Sequence, residues 1–327
     1  MLRACDFVVT VLLALALVPV FRMVGLPLHF NWRDLVGFWF WIASRSLVLA
    51  LAAYVLQFPG KFWGALTRRG PDIGFPWKQI ASVLLPAGYL FVVFFLVLSY
   101  NDAIAAVRFN GTGDSLLSEV DSWLLAGHSV SGIARFAVAY LPGWSIRASE
   151  LIYVGMFFQV GAAILLVGLS SGLQQSLRLV SAIALSYYLA LVCFLLITAT
   201  GPYYTPDGQT AFLNTNHPIL TLQQNCIERL NVFRAQARPE HIGADYWIAL
   251  PCMHLVQPLL VLWFLRRWGR VFYCLLVYDL LLVAAILVLE QHYVIDLVAA
   301  FPVALVAIVL VDRPVTGFAN TAEKSAT

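Results

Sequence analysis

Apolar stretches of roughly 20 residues recur from one end of this chain to the other, each long enough to span about 30 Å of hydrocarbon. Lipid offers a backbone no water to bond, so runs of this length satisfy their N–H and C=O groups internally, as helices. The pattern predicts an all-α polytopic membrane protein with about eight transmembrane helices, near 7–24, 36–57, 79–100, 150–169, 179–199, 250–265, 271–289 and 293–311. Composition agrees: 61% of the residues are hydrophobic and 11% charged, against roughly 25% charged in soluble domains. The run after Arg3 has no small-residue cleavage site before Phe30-Asn31-Trp32-Arg33-Asp34 and reads as a retained span, not a signal.

Charge orients these spans. Arg3, the 58–78 loop (Lys61, Arg68, Arg69, Lys78), Arg178, the turn with Arg266, Arg267 and Arg270, and the tail with Arg313 and Lys324 all fall on one side. The long loops 101–148 and 200–249 fall on the other, where Asp102, Asp114, Glu119, Asp121, Asp207, Glu228, Glu240 and Asp245 dilute the arginines. The positive-inside rule makes both termini cytoplasmic and the long loops extracytoplasmic, in an inner, plasma or Golgi-like membrane. The net charge of +3 is spread over short loops rather than one basic stripe, so no nucleic acid is expected as a partner. Cys5, Cys193, Cys226, Cys252 and Cys274 show no paired spacing, and most of them read as small buried residues, not a disulfide or metal framework.

The outer loops are too long to be simple connectors. Segment 114–140 carries apolar residues at helical spacing (Leu116, Leu117, Val120, Trp123, Leu124) and predicts an amphipathic helix lying at the membrane surface. The second loop opens on the rigid cluster Gly201-Pro202-Tyr203-Tyr204-Thr205-Pro206-Asp207-Gly208 and offers Ile219 to Arg234 as a further short helix. The tail after Arg313-Pro314 is short and polar, and is expected to be disordered.

Chemistry concentrates between Ala249 and Ala300. Leu250-Pro251-Cys252-Met253-His254 opens one apolar run, and Glu290-Gln291-His292-Tyr293-Val294-Ile295-Asp296 opens another. Two crossings separate His254 from His292, so both return to the same side of the bilayer. Asp296 follows His292 by one helical turn, where side chains share a face. An aspartate so placed can hold one imidazole nitrogen as an N–H donor, leaving the other as nucleophile or base. Pro251 suits the first turn of a helix, with the N–H groups of Cys252 and Met253 at its start forming an anion site. Against this stand the plainer readings of a helix-start aspartate beside an interfacial histidine, and of His254 as an ordinary interfacial residue. The two features together, on one side, favour catalysis.

Pro251-Cys252-Met253-His254 and His292-Tyr293-Val294-Ile295-Asp296 resemble the two histidine motifs of the type-2 phosphatidic acid phosphatase superfamily. They are most similar to its branch of inositol phosphorylceramide synthases and sphingomyelin synthases. The resemblance covers about residues 79–311 and implies a six-helix lipid-phosphatase-like core there, after two N-terminal helices (1–78) and before a disordered tail (312–327). It implies His292 as nucleophile, Asp296 as its orienting partner and His254 as proton donor to the leaving group. Three departures stand out. The arginine that the phosphatase branch places six residues before the second histidine is Ile286 here. The branch's combined Lys and Arg-Pro pattern is missing from 200–249. The serine of the first histidine motif is Cys252. These fit the phosphotransferase branch better and leave the phosphate's counter-charges open. Arg229 and Arg234 lie in the right loop, as ligands or as solvated surface arginines. Gly201-Pro202-Tyr203-Tyr204 resembles the branch's Ala-Pro-Trp-Tyr-like loop and adds Tyr203 and Tyr204 as substrate-binding candidates.

The expected activity is therefore transfer of a phosphorylated head group between a membrane lipid and a hydroxyl acceptor through a phosphohistidine. The alternative is hydrolysis of phosphatidic acid or a polyprenyl phosphate, with water as acceptor. No cofactor and no metal are expected, since nucleophile and acid are both side chains. A transporter also fits the composition, but would need a polar line through the bilayer midplane.

Overall fold

The computed structural model describes residues 2–25, 32–60, 77–108, 112–205 and 248–312. These residues form α-helices and one short 3-10 turn, with no strand among them. The helices are α1 (Leu2–Val24), α2 (Trp32–Gln57), α3 (Trp77–Arg108), α4 (Thr112–Leu124), α5 (Val130–Tyr140), α6 (Gly143–Ser171), α7 (Leu173–Leu196), α8 (Met253–Leu265), α9 (Gly269–Val288) and α10 (Val294–Asp312), with the turn at Pro202–Tyr204. Seven are long and apolar enough to cross a membrane: α1, α2, α3, α6, α7, α9 and α10. The eighth expected span, α8, has 13 residues, about 20 Å at 1.5 Å per residue, and is short of a bilayer by itself. The expected helix over Ile219 to Arg234, like the tail after Asp312, lies outside the described residues.

Several boundaries move for identifiable reasons. Helix α6 begins at Gly143, ahead of the expected 150, because its polar first turns are internally matched. Arg147 pairs with the buried Glu150 at 2.8 Å. Helix α7 starts directly after Gly172, whose φ of 80° ends α6, so its polar first two turns (Gln174, Gln175, Arg178) are helical too. Segment 114–140 is two helices rather than one. The chain breaks at Ala126 and Gly127 (φ 52° and 91°), and Ser129 caps α5 by accepting the Gly132 N–H at 3.1 Å.

Helix α7 is the hub. Leu179, Val180, Ala182, Ile183 and Ala184 have no exposed surface, and α3, α6, α8 and α10 pack around it. Helix α2 lies on α6, and α1 on α3. Polar groups inside the bundle join helices rather than forming a continuous line. Gln159 of α6 donates to Asp279 of α9 at 2.9 Å, Ser82 of α3 to the Gly168 carbonyl at 2.8 Å, and Tyr100 to the Leu13 carbonyl of α1 at 2.7 Å. Such bonds help helices associate where lipid supplies no hydrophobic drive between them. Large exposed apolar side chains (Leu15, Phe40, Leu84, Leu280, Leu305) face outward along the spans, as lipid contact requires. Arg45, inside α2, is exposed and stays beside its own helix. It donates to the Trp41 carbonyl at 3.3 Å and lies 4.7 Å over the Trp41 ring.

Two ends of the bundle differ. The starts of α8 and α10, the ends of α7 and α9, and α4 and α5 gather at one end, joined by Ala249 N–H to Ala199 O (3.0 Å) and Tyr203 N–H to Glu290 O (3.1 Å). Lys78, Arg178, Arg266, Arg267 and Arg270 lie on the turns and helix starts of the other.

Candidate active site

The second histidine is aimed by how its flanking helices stop and start. Helix α9 ends in a Schellman closure: Gln291 N–H reaches Ile286 O at 3.0 Å and Glu290 N–H reaches Leu287 O at 3.2 Å. Glu290 occupies the left-handed position (φ 54°) where glycine is usual. The chain then turns into α10, whose first N–H groups need acceptors. Asp296, at the third helical position, reaches back to the Tyr293 N–H at 2.8 Å, one half of a capping box. The other donors are taken from a distance: Asp121 of α4 accepts from Val294 N at 2.7 Å and Ile295 N at 2.9 Å. Between these fixed points His292 is held with 3% exposure.

The first histidine motif departs from expectation at its helix start. Pro251 lies outside α8, and Cys252 is its N-cap. The Cys252 N–H is not free for an anion, because it donates to the Asp296 carbonyl at 3.0 Å. That bond ties the two motifs together. Met253 is buried in the apolar core. The Cys252 thiol instead turns toward the imidazoles, with Cys252 Sγ, a His254 nitrogen and a His292 nitrogen all within 4.8 Å of one another. Sequence reasoning missed this, having assigned Cys252 by its backbone.

The imidazoles meet directly. His292 Nδ1 donates to the Ala249 carbonyl at 2.9 Å, with Asp296 Oδ2 3.5 Å away. A carbonyl oxygen only accepts, so Nδ1 carries a hydrogen and Nε2 is turned inward. Nε2 lies 3.2 Å from His254 Nδ1. His254 stacks on Tyr153 (centroids 4.3 Å apart), whose hydroxyl is 3.4 Å from Nδ1, and meets the edge of Phe157. Burial works against charge on His292, yet Cys252 and the Asp296 carboxylate outweigh it and raise its pKa above the usual histidine range. A charged His292 donating to a neutral His254 is consistent with that direction and with the tautomer.

A supporting shell, not apparent from the sequence, surrounds the pair. Asp114 accepts from Thr200 N (3.0 Å), Thr200 Oγ1 (3.1 Å), Gly201 N (2.9 Å) and Tyr293 Oη (3.3 Å). Burial raises its pKa despite these donors, and burial does the same at Asp121 against the α10 N–H groups. Gly201 (φ 110°) must be glycine, since a Cβ there would lie 2.7 Å from the Gln291 carbonyl. Tyr203 is buried against Ala134, Ala137, Ile146 and Leu289, in a small cluster that seats α5, and Tyr204 packs beside it. Arg229 and Arg234 lie outside the described residues.

A histidine with one nitrogen anchored and the other facing a second imidazole, at one end of a lipid-facing helix bundle, has the parts of a membrane enzyme that works on ester bonds. A family model described as the PAP2 superfamily matches residues 117–310, and the chain belongs to that superfamily. It is thus an integral membrane phosphatase or phosphotransferase acting on phosphate esters. No curated protein and no solved structure matches the chain.

Proposed function

We propose that His292 is the nucleophile and His254 the acid–base in transfer of a phosphorylated head group from a membrane lipid to a hydroxyl acceptor. The 3.2 Å contact between His292 Nε2 and His254 Nδ1 carries this reading. Passage of the shared proton from Nε2 to Nδ1 makes His292 a neutral nucleophile and His254 a charged acid in one move. Nε2 then attacks phosphorus, the ester P–O bond breaks, and the leaving oxygen takes the His254 proton. A second hydroxyl, deprotonated by His254, attacks the phosphohistidine, and the N–P bond breaks. Asp296 and the Ala249 carbonyl hold Nδ1–H throughout.

The resting contact is too short to enclose a substrate. An attacking distance of about 3 Å, a P–O bond of about 1.6 Å in line beyond it and a bent hydrogen bond of about 2.8 Å to the leaving oxygen need the two nitrogens roughly 6–7 Å apart. Substrate therefore separates the imidazoles, and His254 moves along the Tyr153 face.

Transfer is preferred over hydrolysis because Ile286, where the phosphatase branch has arginine, has no exposed surface and lies in the apolar core. Hydrolysis of a lipid phosphate uses the same residues with water as acceptor. Supplying labelled lipid with and without alcohol acceptors separates the two: a new labelled lipid marks the transferase, whereas free phosphate alone removes that reading. The site is assigned to the extracytoplasmic face, with cytoplasmic termini. The basic turns at the far end support this.

A further inference from the structure

Cys252, His254 and His292 bring three metal-ligand atoms within 4.8 Å of one another. We propose that they form a binding site for a borderline transition metal such as Zn2+, and that its occupation inhibits the enzyme. The donor set is one sulfur and two imidazole nitrogens, which selects zinc-like ions over Mg2+ or Ca2+. The spacing is close to what is needed. Zn–N bonds of about 2.05 Å at tetrahedral angles place two nitrogens about 3.3 Å apart, and His254 Nδ1 and His292 Nε2 are 3.2 Å apart. With a Zn–S bond of about 2.3 Å the sulfur sits about 3.6 Å from each nitrogen, so the thiol, now within 4.8 Å of a nitrogen of each ring, closes by about 1.2 Å at most.

The surroundings complete the case. A metal-bound histidine usually gives its other N–H to a carbonyl or carboxylate. His292 Nδ1 already meets both, at Ala249 O (2.9 Å) and Asp296 Oδ2 (3.5 Å). Binding displaces the proton between the imidazoles and takes Cys252 as its thiolate. The fourth position stays open to water. The metal takes the Nε2 lone pair, which makes it an inhibitor. It also favours the closed pair, whereas phosphate needs the pair open, so metal and substrate exclude each other. Inhibition rests on the phosphohistidine reading; binding does not.

Co2+ titration of the tag-free, detergent-solubilised full chain tests this, because Co2+ reports its ligands optically. One equivalent should produce a thiolate-to-cobalt band in the near ultraviolet and tetrahedral bands in the visible, both erased by Zn2+. Cys252→Ser should lose the thiolate band, His254→Gln and His292→Gln should each weaken binding at least about tenfold, and Cys274→Ser should change nothing. Wild type without a thiolate band overturns the site whatever the variants do, as does a band that survives Cys252→Ser. Zn2+ should abolish turnover and a chelator should restore it. Turnover untouched at saturating Zn2+ overturns the inhibition. A chain that binds Co2+ as described but forms no phosphohistidine upholds the site and removes the catalytic reading instead.

Discussion

Asp296 serves two groups with one oxygen, accepting the Tyr293 N–H at 2.8 Å and lying 3.5 Å from His292 Nδ1. The Ala249 carbonyl is the closer partner of that nitrogen. Asp296→Asn should therefore keep the helix cap and the ring orientation while losing the charge, lowering kcat/KM by roughly 10²-fold. His292→Ala should leave no measurable turnover; equal losses in the two would remove the carbonyl from the account. Glu290 makes a separate prediction. Burial, opposed by Ser131 and Arg135, pushes its carboxyl up to about 7. Neither oxygen has a hydrogen bond of ordinary geometry, so burial is the dominant influence. A raised carboxyl binds its proton more tightly folded than unfolded, so its burial costs nothing below the ordinary value of 4.5 and destabilises increasingly as pH rises toward 7. Glu290→Gly also relieves the left-handed backbone, worth about 1 kcal/mol. Its thermal midpoint should exceed wild type at pH 8, with the gap narrowing at pH 5. The histidine motifs were legible because each opens an apolar run. The Cys252 thiol was not, since a lone cysteine does not reveal which way its side chain turns.

Helix α4 keeps most of the expected apolar stripe on its exposed side and turns its acidic side into the protein. Leu116, Trp123 and Leu124 are exposed, and the buried face is Asp114, Leu117 and Asp121. The apolar stripe thus faces the membrane surface, and the acidic stripe faces protein, where its carboxylates cap α10 and hold the 200–201 turn. From the sequence those aspartates looked like loop charge, because their partners lie from 86 to 179 residues away. The spacing 114, 117, 121 was the available signal. Asp121→Ala should cost about 1–2 kcal/mol, as the loss of a helix cap does. It should lower turnover further by freeing the start of α10, and Asp121→Asn should recover part of both. Thermal unfolding and turnover of the two variants, measured together, check this. A loss of stability with unchanged kcat would mean that α4 does not position His292.

At the scale of the molecule, the number of spans was readable from apolar length, apart from α8, whose 13 residues looked long enough when the polar ends were included. The superfamily was readable from two short motifs. Arg229 and Arg234, candidate counter-charges for the phosphate, fall within residues 206–247, outside the described residues. Orientation has a direct check. A reporter fused after Asp312 that matures only in cytoplasm should be active, and one that requires export should be silent; the reverse would put the site on the cytoplasmic face.

The most direct test is to quench the enzyme during turnover of a radiolabelled lipid phosphate ester and map the label by mass spectrometry. An acid-labile phosphoryl group is expected on the peptide bearing His292, long-lived in wild type when the acceptor is withheld, absent from His292→Ala and formed far more slowly in His254→Ala. Label on His254, or turnover with no phosphohistidine at any time, would contradict this.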